Sequence, residues 1–219
     1  MDKSVIKRFS ASNVIFSLAM VLLLISAAVT LTLNFRPLYY FDIEHLHIPE
    51  SSGYSEEEIR GNFDALIDYN SVFNKDRLSF PSMAMSETGE IHFEEVKNIF
   101  SALQITAMSL SLPVLGVLVW KLKTKDYFAL KLSGALAVIL PAVLGLLIML
   151  NWDGFFVLFH KIFFNNDYWI FDSRTDPVIS ILPDMYFLHC AVMILLLVVL
   201  TAVILWTAGT VLGRAREGN

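Results

Sequence analysis

Four long apolar segments restrict the possible folds of this chain more than any other feature of its sequence. Each is about 20 residues long, the length that an α-helix needs to cross the hydrocarbon core of a bilayer. They comprise residues 14–33, 99–120, 132–150 and 188–212. Hydrophobic residues make up 56% of the chain, more than a soluble domain usually carries. The sequence therefore predicts an all-α integral membrane protein with four transmembrane helices.

The first apolar segment follows Lys3, Lys7 and Arg8, as the apolar part of a secretory signal peptide would. Its apolar core is longer than the apolar part of such a peptide, which usually has about 7–15 residues. We therefore expect it to be retained as the first membrane helix.

The distribution of charge predicts the topology. Nine Lys and Arg residues, against three acidic ones, lie at the termini and between the second and third segments. The two long connections, 34–98 and 151–187, hold seven Lys and Arg beside eighteen Asp and Glu. Because Lys and Arg collect on the cytoplasmic side, both termini are predicted inside. Residues 34–98 then form an extracellular cap, and the aromatic-rich residues 151–187 form an interfacial segment.

Several function classes are disfavoured. The four segments carry no ionisable residue at mid-depth, which argues against an ion channel or a transporter. Pro113 and Pro141 should bend the second and third helices. The single cysteine, Cys190, excludes an internal disulfide and supplies no metal or redox motif. The chain has no basic patch for nucleic acid and no cofactor-binding motif, so we expect neither a nucleic-acid partner nor a cofactor.

Local motifs predict structure within the cap. Ser55 followed by Glu58 forms a capping box, so a helix should begin near Glu56. Its apolar residues, Ile59, Phe63, Leu66 and Ile67, recur at helical spacing and predict one buried face. A turn is expected around residues 86–90, with Gly89 supplying the conformational freedom.

The histidines are the candidate chemical groups. His160 lies within FFVLFHKIFF, in a segment too polar to span a bilayer and too aromatic for an ordinary loop. His92 should lie near the start of a helix that continues into the second membrane segment. On a β-strand the side chains of His45 and His47 would point to the same side, so a metal site that includes both remains an alternative. His189 opens the fourth segment, where a structural role is expected.

Two motifs carry a resemblance to a known family. They are HxxEV at residues 92–96 and FHxxFFxNDxW at residues 159–169, in a four-helix layout. In these the chain resembles the bacterial lipoprotein intramolecular transacylases called Lit. The resemblance implies transfer of the sn-2 acyl chain of a diacylglyceryl-modified lipoprotein onto the α-amine of its N-terminal cysteine. It also implies two functional histidines, which fall on His92 and His160, in a multi-pass protein of the bacterial plasma membrane with its site on the extracellular side.

Such a reaction assigns expected roles to the residues around the histidines. His160 is predicted to be the general base and His92 to stabilise the oxyanion or protonate the leaving oxygen, and the reverse assignment of the two roles is the alternative. Asp167 is a candidate to orient one imidazole. Supporting residues are predicted at Asn165, Asn166, Tyr168 and Trp169, and the acyl-chain pocket at Phe155, Phe156, Phe159, Phe163 and Phe164. No metal is expected in this site.

Two further hypotheses remain open from the sequence. The first is a non-enzymatic sensor or accessory protein whose acidic cap binds a partner, and this hypothesis predicts that His92 and His160 lie far apart. A metal-dependent hydrolase would require His45 and His47 to converge with a third ligand. The expected partners are the lipoprotein substrate and membrane lipid, and a monomer is the expected state, since four helices can stand alone.

Overall fold

A computed structural model describes residues 10–217, and all regular secondary structure in that range is helical. The charges at Asp2, Lys3, Lys7 and Arg8 on which the topology partly depends lie outside the described residues. The same is true of the side chains of Arg216 and Glu217. The structure therefore describes the apolar segments and both long connections.

Four helices are long and apolar enough to cross a membrane, which confirms the predicted number. They are α1 (Ala11–Asn34), α5 (Glu87–Lys123), α6 (Phe128–Leu150) and α8 (Asp184–Glu217). Shorter helices fill the two long connections: α2 (Arg36–His45), α3 (Ile48–Ser52), α4 (Glu56–Tyr69) and α7 (Trp152–Phe163), with a 3₁₀ turn at Pro177–Ile181. Helices α5 and α6 continue through Pro113 and Pro141.

Helix α5 begins twelve residues before the apolar segment that predicted it, at Glu87. His92 accordingly lies in its second turn, and the helix continues without a break, as expected. The prediction that Gly89 supplies conformational freedom to a turn at residues 86–90 is wrong, because Gly89 lies inside α5. A Cβ atom at this position would overlap the carboxylate of Asp176. Gly89 is therefore needed for close approach and not for a turn.

The chain forms two compact units. The first, here called the bundle unit, contains the described residues up to Ala28, together with Gln104–Leu146 and the residues from Ile194 onward. Its core consists of two apolar clusters, in which Phe16, Val114, Ala137 and Val198 are among the buried residues. Gly134 lets its helix approach the backbone of Ala202, since a Cβ atom would meet that carbonyl oxygen at 2.6 Å.

The bundle unit buries one charged side chain, Lys121, at the end of α5. Its ammonium group bonds to the carboxylate of Asp126 at 3.0 Å and also to the side-chain oxygen of Asn13. Asn13 in turn donates to Asp126 at 3.4 Å. A buried charge is tolerated when it is paired and hydrogen-bonded, and this triad satisfies that condition.

The second unit, here called the histidine unit, contains Val29–Leu103 and Leu147–Met193. Its core includes the predicted face of α4, whose four apolar residues are all buried. Ser55 and Glu58 form the predicted capping box. Tyr39 stacks on Phe63 with ring centroids 3.6 Å apart and donates to the carbonyl of Ile181 at 2.6 Å.

Helix α7 follows α6 after the single residue Asn151, which caps it by accepting a hydrogen bond from the Gly154 amide at 2.9 Å. None of its twelve residues is fully buried. The apolar side chains of Leu158, Ile162 and Phe163 are exposed. Such a helix is typical of a membrane interface, as the sequence predicts for this segment.

Candidate active site

Two histidines from distant parts of the sequence lie together in the histidine unit. His92 comes from the second turn of α5 and His160 from the third turn of α7. Their ring centroids are 6.1 Å apart, with 31° between the ring planes. His92 is 5% exposed and His160 is half-buried. At this separation both imidazoles can contact one reacting group.

Aromatic rings surround the pair. Phe164, which is 5% exposed, contacts both imidazoles, with centroid distances of 4.7 Å to His92 and 5.6 Å to His160. His160 also has three other aromatic neighbours and His92 has two: Phe156, Phe159 and Trp169 for the former, Phe93 and Phe171 for the latter. Apolar surroundings exclude water and disfavour a charged imidazole.

The hydrogen bond of His160 defines which ring nitrogen can act as a base. Its Nδ1 lies 2.8 Å from the carbonyl oxygen of Phe156. Because a carbonyl oxygen only accepts, Nδ1 must carry the hydrogen, and Nε2 of the neutral ring then holds a free lone pair. Burial lowers the pKa of His160 below its ordinary 6.5, although the Phe156 carbonyl and the charge of Asp184 act in the opposite direction. The neutral form is favoured at physiological pH.

Several buried polar atoms without a hydrogen-bond partner lie on α5, on α7 and on the loop that follows α7, the segments that carry this pair or contact it. Among the described residues they include His92 Nδ1, Glu95 Oε2, Trp152 Nε1 and Trp169 Nε1. Buried polar atoms are usually paired, because leaving one unpaired costs about 1–3 kcal/mol. Atoms of this kind grouped in one place are expected where a protein binds a ligand.

One polar contact beside the histidines was not predicted from the sequence. Glu95 Oε1 accepts a hydrogen bond from Asn166 Nδ2 at 2.8 Å. Asn166 is itself fixed, because its Oδ1 accepts from the Tyr168 amide at 3.0 Å. Glu95 resembles the other surface acids of α5 in sequence, and its presence in HxxEV was the only signal that could have marked it.

Trp169 is the supporting residue that reaches the site. Its indole stacks on His160 with centroids 4.6 Å apart and 28° between the planes. Asn166 reaches α5 through Glu95. Of the predicted pocket residues, Phe156, Phe159 and Phe164 contact a histidine ring.

The other predicted neighbours lie elsewhere. Helix α7 ends at Phe163, so the residues that follow do not continue its face. Asn165 and Asp167 are exposed, and Tyr168 is 39% exposed. The sequence predicts a hydrogen bond between Asp167 and one imidazole. In the structure, the hydrogen-bond partner of His160 Nδ1 is the carbonyl oxygen of Phe156. Phe163 is 53% exposed and packs on Phe159, and Phe155 packs on Trp152.

The remaining histidines do not form a metal site among the described residues, where no group of three possible ligands is found. His45 and His47 do not lie on a strand. His45 ends α2, and His47 has a left-handed backbone with φ of 52°. His189 has the expected structural role, because its Nδ1 lies 2.9 Å from the carboxylate of Asp42, which is fully buried.

Comparison with known proteins identifies relatives of the chain. The profile of the family described as lipoprotein intramolecular transacylase Lit matches residues 14–187. The solved structure of the membrane-integral lipoprotein intramolecular transacylase Lit from Bacillus cereus superposes with a TM-score of 0.92 at 33% identity. That match covers 95% of this chain and 97% of the other.

Two further structures of the Bacillus cereus protein match, each with one histidine replaced. The arginine variant has a TM-score of 0.83 and covers 94% and 92% of the two chains, and the alanine variant has 0.84 with 95% and 94%. Both are 32% identical to this chain. No curated protein sequence matches it. The profile and the superposition show that this chain belongs to the Lit family of lipoprotein intramolecular transacylases, which are membrane-integral acyltransferases.

Proposed function

We propose that the chain moves the sn-2 acyl group of a diacylglyceryl-modified lipoprotein onto the α-amine of the lipoprotein's N-terminal cysteine. The product is a lyso-form lipoprotein, and the chemistry is acid–base catalysis by His92 and His160. The observation that carries this proposal is the pair of imidazoles, 6.1 Å apart, among aromatic rings. The donor and acceptor belong to one substrate, so the protein must position them, which can contribute about 7–11 kcal/mol.

The proton balance of the reaction calls for two groups. An α-ammonium with a reference pKa of about 7.7–8.0 is mostly protonated at neutral pH and cannot attack. It loses one proton to a base, and the amine then attacks the ester carbonyl carbon. As the carbon–nitrogen bond forms and the carbon–oxygen bond breaks, a second amine proton passes to the leaving glyceryl oxygen. One proton is released overall.

The tautomer of His160 suits it to the first transfer. With Nδ1 donating to the Phe156 carbonyl, Nε2 is available to take the ammonium proton. A general base of this kind is typically worth about 10²–10⁴-fold in rate. His92, the more deeply buried imidazole, then delivers a proton to the leaving oxygen or stabilises the oxyanion.

The aromatic residues Phe156, Phe159 and Phe164 are proposed to hold the acyl chain and to keep water away from the ester. Water is the competing nucleophile, and its attack would give hydrolysis in place of transfer. The Lys and Arg residues at the termini and between the second and third apolar segments support a cytoplasmic position for those parts, and hence a site on the extracellular side of the membrane. A monomer can supply all of these residues, since both histidines belong to one chain.

The test is mass spectrometry of the N-terminal peptide of a reporter lipoprotein from bacterial cells with and without this protein. Expression should move one acyl group from oxygen to nitrogen. The variant His160→Gln should lower the product about 10²–10⁴-fold at equal protein level. His45→Gln is the matched control, since His45 is exposed and should be dispensable. Full activity of His160→Gln would refute its role as the base.

A metal-dependent alternative is tested in the same assay. Chelation should leave acyl transfer unchanged under the acid–base proposal. Inhibition by a chelator that zinc reverses would favour metal-assisted chemistry instead.

A further inference from the structure

Glu95 is a half-buried acid on the helix that carries His92, and the acid–base proposal does not use it. It lies three residues after His92 on α5, so the two side chains share one helix face. Its Oε1 bonds to Asn166, whereas its Oε2 is buried and has no partner among the described residues. One oxygen of the carboxylate is therefore held in place and the other is left to receive a ligand.

The helix and the loop that contact the two imidazoles also hold the Glu95 carboxylate. The loop that supplies Asn166 also supplies Trp169, which stacks on His160. The helix that supplies Glu95 also supplies His92, which contacts His160 at 6.1 Å. Glu95 is thus linked to both imidazoles through one hydrogen bond, one ring stack and the backbones of α5 and the loop.

The ligand that fits such an oxygen is a cation with hydrogen-bond donors. A buried carboxylate is costly without a positive partner. The nearest basic residue on α5, Lys97, places its ammonium group 3.9 Å from the ring centroid of Tyr69. Lys161 on α7 is exposed. Among the described residues neither lysine forms an ion pair with Glu95, so the positive charge is expected to come from the substrate.

We propose that Glu95 binds the α-ammonium group of the lipoprotein's N-terminal cysteine. This inference rests on the proposed acyl transfer and adds to it the residue that selects a free amine. The ammonium donates one hydrogen bond to Oε2 and gives another of its protons to His160 Nε2, after which the amine attacks the ester. The amide product carries no positive charge, so the interaction that holds the substrate is lost when the reaction is complete.

Specificity follows from the same contact. A lipoprotein whose amine is already acylated brings no cation and leaves the carboxylate unpaired. The acylated lipoprotein should bind more weakly than the free amine, because a hydrogen bond to a charged group is typically worth about tenfold or more in binding. Glu95 would therefore restrict the site to substrates with a free amine.

The experiment measures binding by titration calorimetry of the full-length protein in detergent micelles. The probe is a cysteinyl peptide whose glyceryl group carries two ether-linked alkyl chains, so that no acyl transfer occurs. A second probe has hydrogen in place of the α-amine. The proteins are wild type, Glu95→Gln, and Glu94→Gln as a matched control, since Glu94 is the exposed neighbour on the same helix.

Wild type and Glu94→Gln should bind the amine probe at least about tenfold more tightly than the deamino probe. Glu95→Gln should lose that preference while binding the deamino probe as wild type does, which also shows that it is folded. Equal affinity of wild type for both probes, or a preference that Glu95→Gln retains, would overturn the inference. Equal weakening for both probes would also overturn it, because the residue would then only shape the pocket.

These outcomes are independent of the acid–base proposal. If His160→Gln kept full transacylation, the proposed base would be wrong, but the preference for the amine probe would stand. If the preference were absent while His160→Gln was inactive, only the role of Glu95 would fail.

Discussion

Buried polar groups of the bundle unit differ from those near the histidine pair in whether they have a hydrogen-bond partner. In the bundle unit, the buried Lys121 is bonded to both Asn13 and Asp126, and the buried Ser133 donates to the Ala129 carbonyl at 2.8 Å. In the histidine unit, polar atoms of His92, Glu95 and Trp169 are buried without a partner among the described residues. The paired groups stabilise the fold, whereas the unpaired groups are expected to bind a ligand.

That contrast has an energetic meaning. A satisfied buried group contributes to stability, and losing one partner exposes the full desolvation cost of the other. An unsatisfied one lowers stability until a ligand binds, and proteins retain such groups at functional sites. Substitutions in the two units should therefore have different effects, in stability for the first and in activity for the second.

After the loss expected for His160→Gln, the largest effect is expected at His92. Replacing it by Gln removes a proton donor beside the reacting ester, so transacylation should fall about 10²–10³-fold, as when an oxyanion-hole donor is removed. The amount of folded protein in the membrane should be unchanged. Mass spectrometry of the reporter peptide measures the product, with His47→Gln as the control on an exposed histidine. A change below about twofold would leave His92 as a structural residue only.

The next effect concerns stability in the bundle unit. Lys121→Met should lower the free energy of unfolding by about 1–3 kcal/mol, because Asn13 and Asp126 lose their shared donor and Asp126 is partly screened by solvent. Acyl transfer per folded molecule should stay at the wild-type level. Thermal unfolding in micelles measures the loss, and Lys123→Met, an exposed lysine on the same helix, should show none. A loss of activity without loss of stability would contradict the division between the units.

The pH dependence of the reaction should report His160. Its pKa is lowered by burial, so the neutral base persists below its ordinary pKa of 6.5. The rate of acyl transfer should fall about tenfold per pH unit only below the lowered pKa of His160, as a proton occupies Nε2. Because the charge of Asp184 raises the pKa of His160, Asp184→Asn should move this decline to still lower pH. A decline centred above 6.5 in the wild type, or no movement in the variant, would contradict the assignment.

The smallest effect is expected at Asp167. This side chain is exposed, and the bond that orients His160 comes from Phe156. Asp167→Asn should therefore change the rate of acyl transfer by no more than about twofold. Loss of activity comparable to that of the His92 variant would restore the orienting role that the sequence predicts for this residue.

The sequence predicted the parts of the structure that depend on local pattern. Apolar segments and the spacing on α4 specified the long helices and one buried face, since helical periodicity is a local property. The two histidines could be paired only through the aromatic setting of His160 and the family resemblance. Their distance of 6.1 Å depends on tertiary packing that no local pattern encodes.

The sequence does not predict contacts between distant residues or contacts with the backbone. Asp42 and His189 are 147 residues apart, and neither has a sequence neighbour that indicates the other. No local pattern distinguishes the carbonyl of Phe156, because every residue carries such an oxygen, whereas the carboxylate of Asp167 is evident in the sequence. The role of Gly89 is ambiguous in the sequence because glycine promotes turns and close packing alike.

The contact at Gly89 has a consequence for inherited variation. Asp176 accepts a hydrogen bond from the Ser86 amide at 2.8 Å, and Gly89 leaves the space for that carboxylate. A mutation there to even the smallest side chain would displace the first turn of the helix that carries His92 one turn later. Loss-of-function alleles should therefore arise at codon 89, although this residue has no side chain with which to touch a lipid or a peptide.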